Sequence, residues 1–223
     1  MPDTILEVAN LFKKVDSPDG ELILLDDVSF SVPAGTSVAI TGPSGAGKST
    51  LLGLLAGLDV PSSGSIKLSG TDITAMNEEQ RAIVRAQNVG FVFQSFQLLG
   101  SLTALENVAL PLELAGKSDA VSQAQKYLDM VGLAARRTHY PKQLSGGEQQ
   151  RVAIARAFAC SPKILFADEP TANLDQATGK LVSDLLFSLN DQSDTTLVLV
   201  THESTLAARC AMRLEIDAGR LVQ

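Results

Sequence analysis

Gly42-Pro43-Ser44-Gly45-Ala46-Gly47-Lys48-Ser49-Thr50 constrains this chain more than any other stretch. It fits the pattern G-x-x-x-x-G-K-[ST], and it lies between a strand and a helix, as that pattern requires. Upstream, Ser37-Val38-Ala39-Ile40 reads as a short buried strand. Downstream, Lys48 to Ala56 is rich in leucine and free of proline, and reads as a helix. Glycines let the backbone take conformations closed to other residues and approach an anion closely. The N–H groups of such a turn, with the positive end of the helix dipole, converge on a phosphate. Lys48 adds a mobile positive charge for β- and γ-phosphates, and Ser49 a hydroxyl for Mg²⁺. A glycine-rich turn before a core helix would need neither the Lys-Ser pair nor the strand. The chain is expected to bind a nucleoside triphosphate.

With 223 residues, the chain has room for one large domain, or a core with a modest insert. A formal charge of −7 and no Lys/Arg run make a poor match for nonspecific nucleic-acid binding, which rests on clustered cations. Cys160 and Cys210 show no metal-ligand spacing and read as buried or half-buried thiols in a reducing compartment. The N-terminus is acidic where a signal peptide would be basic, and no segment approaches the ~20 apolar residues of a membrane span. A cytoplasmic protein is expected; any action at a membrane requires another chain to cross it.

Residues 5–41 read as strands at Ile5 to Leu11, Leu22 to Leu25 and Val28 to Val32, separated by the turn-forming 16–20 and by Pro33-Ala34-Gly35. Beyond the phosphate-loop helix come a strand at Ser65 to Leu68, a helix over 77–86 and a buried strand at Val89 to Phe93. Residues 103–160 form a helical block, with Thr103 and Glu106 spaced as a capping box. Asp119 to Val131 and Gly146 to Ala159 are its further helices. The alternation then resumes with strand Lys163 to Ala167, helix Thr178 to Asn190, strand Thr196 to Thr201 and short helix Ser204 to Ala208. Strands Met212 to Asp217 and Arg220 to Val222 close the chain. This predicts an α/β fold with a largely parallel sheet covered on both faces and a helical subdomain inserted between its halves.

Ile164-Leu165-Phe166-Ala167-Asp168-Glu169 is an apolar strand ending in two carboxylates. Beside a phosphate loop, Asp168 is suited to hold Mg²⁺ and Glu169 to polarise an attacking water. Leu144-Ser145-Gly146-Gly147-Glu148 opens a helix. It reads either as a cap or as a second anion site, which one phosphate loop would need only if that surface serves a neighbour's nucleotide.

Taken together, the set resembles ABC-type ATPases. Gly42 to Ser49, Gln94, Leu144 to Glu148, Asp168-Glu169, Asp175 and His202 stand in that family's order and spacing. The resemblance covers essentially the whole chain. Its most specific stretches are Leu144 to Ala153 (LSGGEQQRVA) and Asp168 to Asp175 (DEPTANLD). Gly90 to Phe96, Ala104 to Val108 and Leu185 to Asn190 look like the LolD/MacB/FtsE group of transporter ATP-binding subunits, and most like its YbbA branch.

The resemblance implies a P-loop NTPase core with an antiparallel β-subdomain, about residues 1–93 and 161–223, and a helical subdomain at about 95–160. ATP and Mg²⁺ are the implied ligands. Residues 42–50 would cradle the phosphates. Gln94 would be a hinge glutamine touching Mg²⁺ or the lytic water. Ser145, Gly146 and Gly147 would contact the γ-phosphate held by an opposite protomer. Asp175 would link the two sites, His202 would hydrogen-bond the γ-phosphate, and Glu169 would act as general base. Lys48, Gln94, Glu169 and His202 are thus the implied catalytic set, with Ser49, Gln94 and Asp168 around the metal.

Two protomers would sandwich two ATP molecules head to tail. They would drive a MacB- or FtsX-like permease at the inner face of the membrane, for export or extraction of lipophilic substrates. FtsE-like signalling without transport and LolD-like lipoprotein release are the alternatives. Phe96, Leu98 and Leu99 are candidates for contact with the permease, or else local core. His139 matches no motif and is expected at the surface. Three departures stand out: Val15 where many relatives stack an aromatic on adenine, Glu148 for glutamine, and Ala172 for glycine.

Overall fold

The computed structural model describes residues 3–18 and 20–222. In chain order it contains β1 (Thr4–Ser17), β2 (Gly20–Pro33), β3 (Ser37–Thr41), α1 (Lys48–Leu55), β4 (Ser63–Leu68), β5 (Thr71–Asp72), α2 (Glu78–Asn88) and β6 (Val89–Val92). There follow α3 (Ala104–Leu114), α4 (Ala120–Met130), α5 (Gly146–Ala159), β7 (Ile164–Asp168), α6 (Gln176–Gln192), β8 (Thr196–Val200), α7 (Ser204–Ala207), β9 (Met212–Asp217) and β10 (Arg220–Val222). Contacts gather these elements into two units: the chain up to Val89 together with Thr196 onward, and Gly90–Thr195.

The first unit holds an antiparallel sheet in the order β2-β1-β4-β5. Three early strands were expected, but β1 and β2 are two long ones. Asp26 and Asp27, which lie between the expected strands 22–25 and 28–32, fall at an irregularity inside a continuous strand. Asp27 (φ 55°) and Asn10 (φ 47°) both take the left-handed conformation that Asn and Asp tolerate, and register shifts flank Leu11. Asn10 Nδ2 donates to Asp27 Oδ1 (2.9 Å) and its N–H to Ser29 Oγ (2.7 Å), so side chains lock the bulge. Of the expected turn over 16–20, Asp19 lies outside the described residues.

In the same unit β3 runs parallel to β8 and β9, in the order β10-β9-β3-β8, with β10 antiparallel to β9. Val38, Ala39 and Ile40, and all of Thr196 to Val200, are buried, as in a strand covered on both faces.

In the second unit, β6 neighbours β7, whose Ile164, Leu165, Phe166 and Ala167 are fully buried. Phe91 stacks on Phe93 (4.9 Å between centroids) and leans on Phe166 (5.6 Å). A Cβ at Gly90 would stand 2.8 Å from the Ala157 carbonyl oxygen and 2.9 Å from Leu165, so β6 needs glycine to lie this close to α5. The Thr103–Glu106 capping box is present: Thr103 N–H donates to Glu106 Oε2 (2.7 Å) and Glu106 N–H to Thr103 Oγ1 (3.3 Å). α6 is longer at both ends than its apolar spacing suggested; at its start, Asp175 caps it upstream of the first leucine. No helix among the described residues is long and apolar enough to cross a membrane. Cys160 and Cys210 are half-buried; burial raises both thiols, Cys210 to about 11, so neither is a ready nucleophile.

Candidate functional site

In the first unit the phosphate loop leaves the end of β3. Gly42 (φ 144°), Gly45 (φ 81°) and Gly47 (φ 100°) all lie in the left-handed region. At Gly42 a Cβ would collide with the Ile216 carbonyl oxygen, and at Gly47 it would stand 2.6 Å from that of Leu24. Gly47 is the N-cap of α1 and, having no side chain, gives no side-chain cap. The other helices of comparable or greater length divide differently. α2, α3, α5 and α6 each have a side chain accepting from the first turn, and α4 has none. Among the described residues, only α1 combines a bare N-terminus with a preceding run of left-handed glycines, the arrangement that turns N–H groups on an anion. Lys48 is nearly buried, and its ammonium donates to the carbonyls of Gly42 (2.9 Å) and Pro43 (2.8 Å). Ser49 is exposed, as are Pro43, Ser44 and Gly45; Thr50 is half-buried and Ala46 buried.

His202 belongs to the same unit. The pairing Ile40↔Val200 brings β3 and β8 to an end at one level, so Gly42 and His202 leave the same edge of adjacent parallel strands. Loops at the carboxyl ends of parallel strands are where α/β folds bind ligands.

The second unit brings together Gln94, Asp168 and Glu169. Asp168 ends β7, and Gln94 follows the neighbouring β6. Gln94 Nε2 donates to Asn173 Oδ1 (3.4 Å), and Asn173 Nδ2 returns to the Gln94 carbonyl (3.0 Å). Asn173 thus ties the glutamine to the loop behind the carboxylates. Sequence reading gave Asn173 no role; its place between Glu169 and Asp175 was the sign available. Glu169 is half-buried and holds a φ of 46°, a strained conformation for a residue with a Cβ.

Ser145 is the N-cap of α5, so the cap reading is correct as far as it goes. Its Oγ accepts from Glu148 N–H (3.3 Å), and Glu148 Oε2 accepts from Ser145 N–H (2.8 Å). Ser145 is exposed even so, while Gly147 is buried where a Cβ would collide with the Thr178 methyl. Asp175 accepts from Thr178 N–H (3.1 Å); Thr178 holds that carboxylate below its ordinary range. Packing around Thr178 thus joins the Ser145–Gly147 turn to the start of α6.

The Ser145 N–H also holds Glu148 below the ordinary carboxylate range, with Arg136 (3.0 Å) adding to the shift against the effect of burial. A lowered folded value means that this contribution is whole above pH 4.5 and is lost as pH falls through the lowered value. Glu148→Gln keeps the capping geometry without the titration, so the acid side of its stability profile should be flatter. Urea midpoints from about pH 3 to 6 measure this; matching acid limbs would refute the assignment.

One surface expectation needs correction, and of the two readings left open for Phe96, Leu98 and Leu99 the structure overturns neither. His139 is half-buried, not superficial: its Nε2 lies 3.3 Å from Arg136, and its carbonyl accepts from Ala104 N–H (2.8 Å). Of Phe96, Leu98 and Leu99 only Leu99 is exposed. Phe96 packs toward Gly146, and Arg156 on α5 donates to the carbonyls of Phe96 (3.1 Å) and Gln97 (2.6 Å). Val15 is 37% exposed beside its strand partner Leu22, and Phe12 is half-buried within β1.

A family model described as ABC transporter matches residues 25–172. The chain is 53% identical over 221 residues to the ABC transporter ATP-binding protein YbbA of Escherichia coli (strain K12), covering 98% of this chain and 97% of that one. It is 48% identical over 223 residues to the lipoprotein-releasing system ATP-binding protein LolD of Legionella pneumophila (strain Paris), covering 99% and 98%. Among solved structures, it superimposes with a TM-score of 0.91 and 36% identity on the ATP-binding cassette MJ0796, a dimer in a post-hydrolysis state with ADP and Pi. That match covers 98% of this chain and 97% of the other. These matches agree with the YbbA branch of the LolD/MacB group and with the α/β P-loop NTPase fold, and the chain belongs to the ABC transporter family as one of its ATP-binding, ATP-hydrolysing subunits.

Proposed function

We propose that two copies of this chain close head to tail around two ATP molecules and power a MacB- or FtsX-like permease at the inner face of the membrane. The observation that carries the reading is the whole-chain likeness to a cassette solved as a dimer with ADP and Pi. Residues 42–50 bind the phosphates, with Lys48 spanning the β- and γ-positions. Ser145, Gly146 and Gly147 reach the γ-phosphate of the opposite protomer, and Asp175 lies at the junction. His202 donates to the γ-phosphate. Glu169 orients the attacking water and takes its proton, assisted by Gln94.

The hydroxyl of Ser49, the amide of Gln94 and the carboxylate of Asp168 are oxygen donors of the kind Mg²⁺ takes together with phosphate oxygens. Among the described residues no cluster of three or more His, Cys, Asp or Glu side chains could hold a metal ion. The donor set therefore suits a metal that arrives with the nucleotide, where it neutralises charge on the transferred phosphoryl group. Within the chain, we assign about 95–160 to the helical subdomain and about 1–93 with 161–223 to the core and β-subdomain. High identity to LolD favours lipophilic cargo, lipoproteins included, over small solutes.

The test is assembly. With ATP present and Mg²⁺ withheld to suppress turnover, light scattering behind size exclusion should show a dimer; with ADP it should show a monomer. Ser145→Arg should abolish the dimer while the monomer still binds ATP. Turnover proportional to protein concentration at all dilutions, and untouched by Ser145→Arg, would rule out the shared site.

A further inference from the structure

We propose that Gln150 is a positioning residue for Glu169: its amide clamps the Pro170 carbonyl and thereby fixes the turn that aims the carboxylate. The inference rests on the general-base reading of Glu169. Gln150 lies on α5 with no exposed surface, among Val152, Ala153 and Ile154, which are equally buried. Its Nε2 donates to the Pro170 oxygen at 2.7 Å, and its Oε1 is buried with no hydrogen-bond partner among the described residues. An orphaned buried acceptor carries a cost that methionine or leucine of similar volume would avoid. The bond to Pro170 is therefore what this amide supplies and an apolar side chain does not.

The turn has reason to need an outside hold. Proline brings no N–H of its own to tie the first peptide after Glu169. Glu169 sits at a φ of 46°, and such conformations persist only where the surroundings impose them. Within the turn, Ala172 N–H reaches the Glu169 carbonyl at 3.2 Å and Leu174 N–H that of Thr171 at 3.0 Å. Gln150 holds the Pro170 carbonyl from outside the turn. It does so from the same helix whose first turn carries Ser145, Gly146 and Gly147. A small displacement of α5 on contact with a neighbour's nucleotide is thereby transmitted to the residue behind Glu169.

The experiment compares the unmutated protein, Gln150→Met, Glu169→Gln and the double variant in steady-state ATP hydrolysis. Amide hydrogen exchange is read at Ala172 and Leu174. Gln150→Met should lower kcat on the order of 10- to 100-fold, as misplacement of a reacting group does, with KM within about twofold. The double variant should match Glu169→Gln, because the clamp acts only through that carboxylate. Exchange at the two amides should quicken in Gln150→Met. An unchanged kcat overturns the proposal, as does unchanged exchange, or a double variant slower than Glu169→Gln by the full Gln150→Met factor. If Glu169→Gln itself turns over normally, it is the general-base reading that fails. The exchange rates then decide on their own whether Gln150 holds the turn.

Discussion

Glu169→Gln is expected to cut ATP turnover on the order of 100- to 10,000-fold, the range general-base catalysis contributes, while leaving ATP affinity within about threefold. The amide has the carboxylate's shape, so it can occupy the same half-buried place at the end of β7 without moving the turn. It cannot accept the proton that a water loses as it attacks. Single-turnover cleavage of labelled ATP gives the first quantity, and titration with a fluorescent nucleotide gives the second. A loss of less than about tenfold would mean that another group takes the proton. Loss of binding in step with turnover would mean that the residue supports the fold rather than the chemistry.

The second large effect concerns glycines. Gly47→Ala forces a Cβ into the left-handed region and to within 2.6 Å of the Leu24 carbonyl, which is backbone and cannot swing aside. A destabilisation of about 2–4 kcal/mol is expected from conformational strain plus displaced backbone. For a chain of this length that is a fall in Tm of roughly 5–15 °C, together with loss of ATP binding. Gly53, in the same helix α1, has open space where a Cβ would go and no left-handed φ. Gly53→Ala should therefore stabilise, by about 0.5–1 kcal/mol, through helix propensity alone. Calorimetry on the pair is decisive, since the same chemical change is predicted to act with opposite sign. Equal shifts would refute the backbone account.

Where the chemistry is tied to local pattern, the sequence was readable. The glycine spacing before Lys48 implied a helix beginning at that residue, and α1 begins there. Thr103 and Glu106 implied a capping box three residues apart, and both of its hydrogen bonds are made. What escaped notice depends on partners distant in sequence. Asn10 and Asp27 meet across β1 and β2, so the two strands expected at 22–25 and 28–32 are one strand with a bulge. His139 meets Ala104, thirty-five residues earlier, which spacing cannot place beside it. Gln150 did carry a faint signal. It falls one helical turn before Ala153 and Ile154 on a stripe that is otherwise apolar, where a polar side chain must find a partner. That the partner is Pro170 could come only from the fold.

Arg156 adds a mechanical consequence. Phe96 (φ 62°) and Gln97 (φ 52°) form two consecutive left-handed residues, and one guanidinium fork grips both of their carbonyls. Burial weakens the hold of Arg156 on its proton, but a guanidinium keeps its charge throughout the working pH range. The stretch beyond Gln94 is therefore bolted to α5 rather than slung as a slack strap. Any displacement of residues 96–97 would therefore be carried into α5, the helix whose first turn holds Gly146.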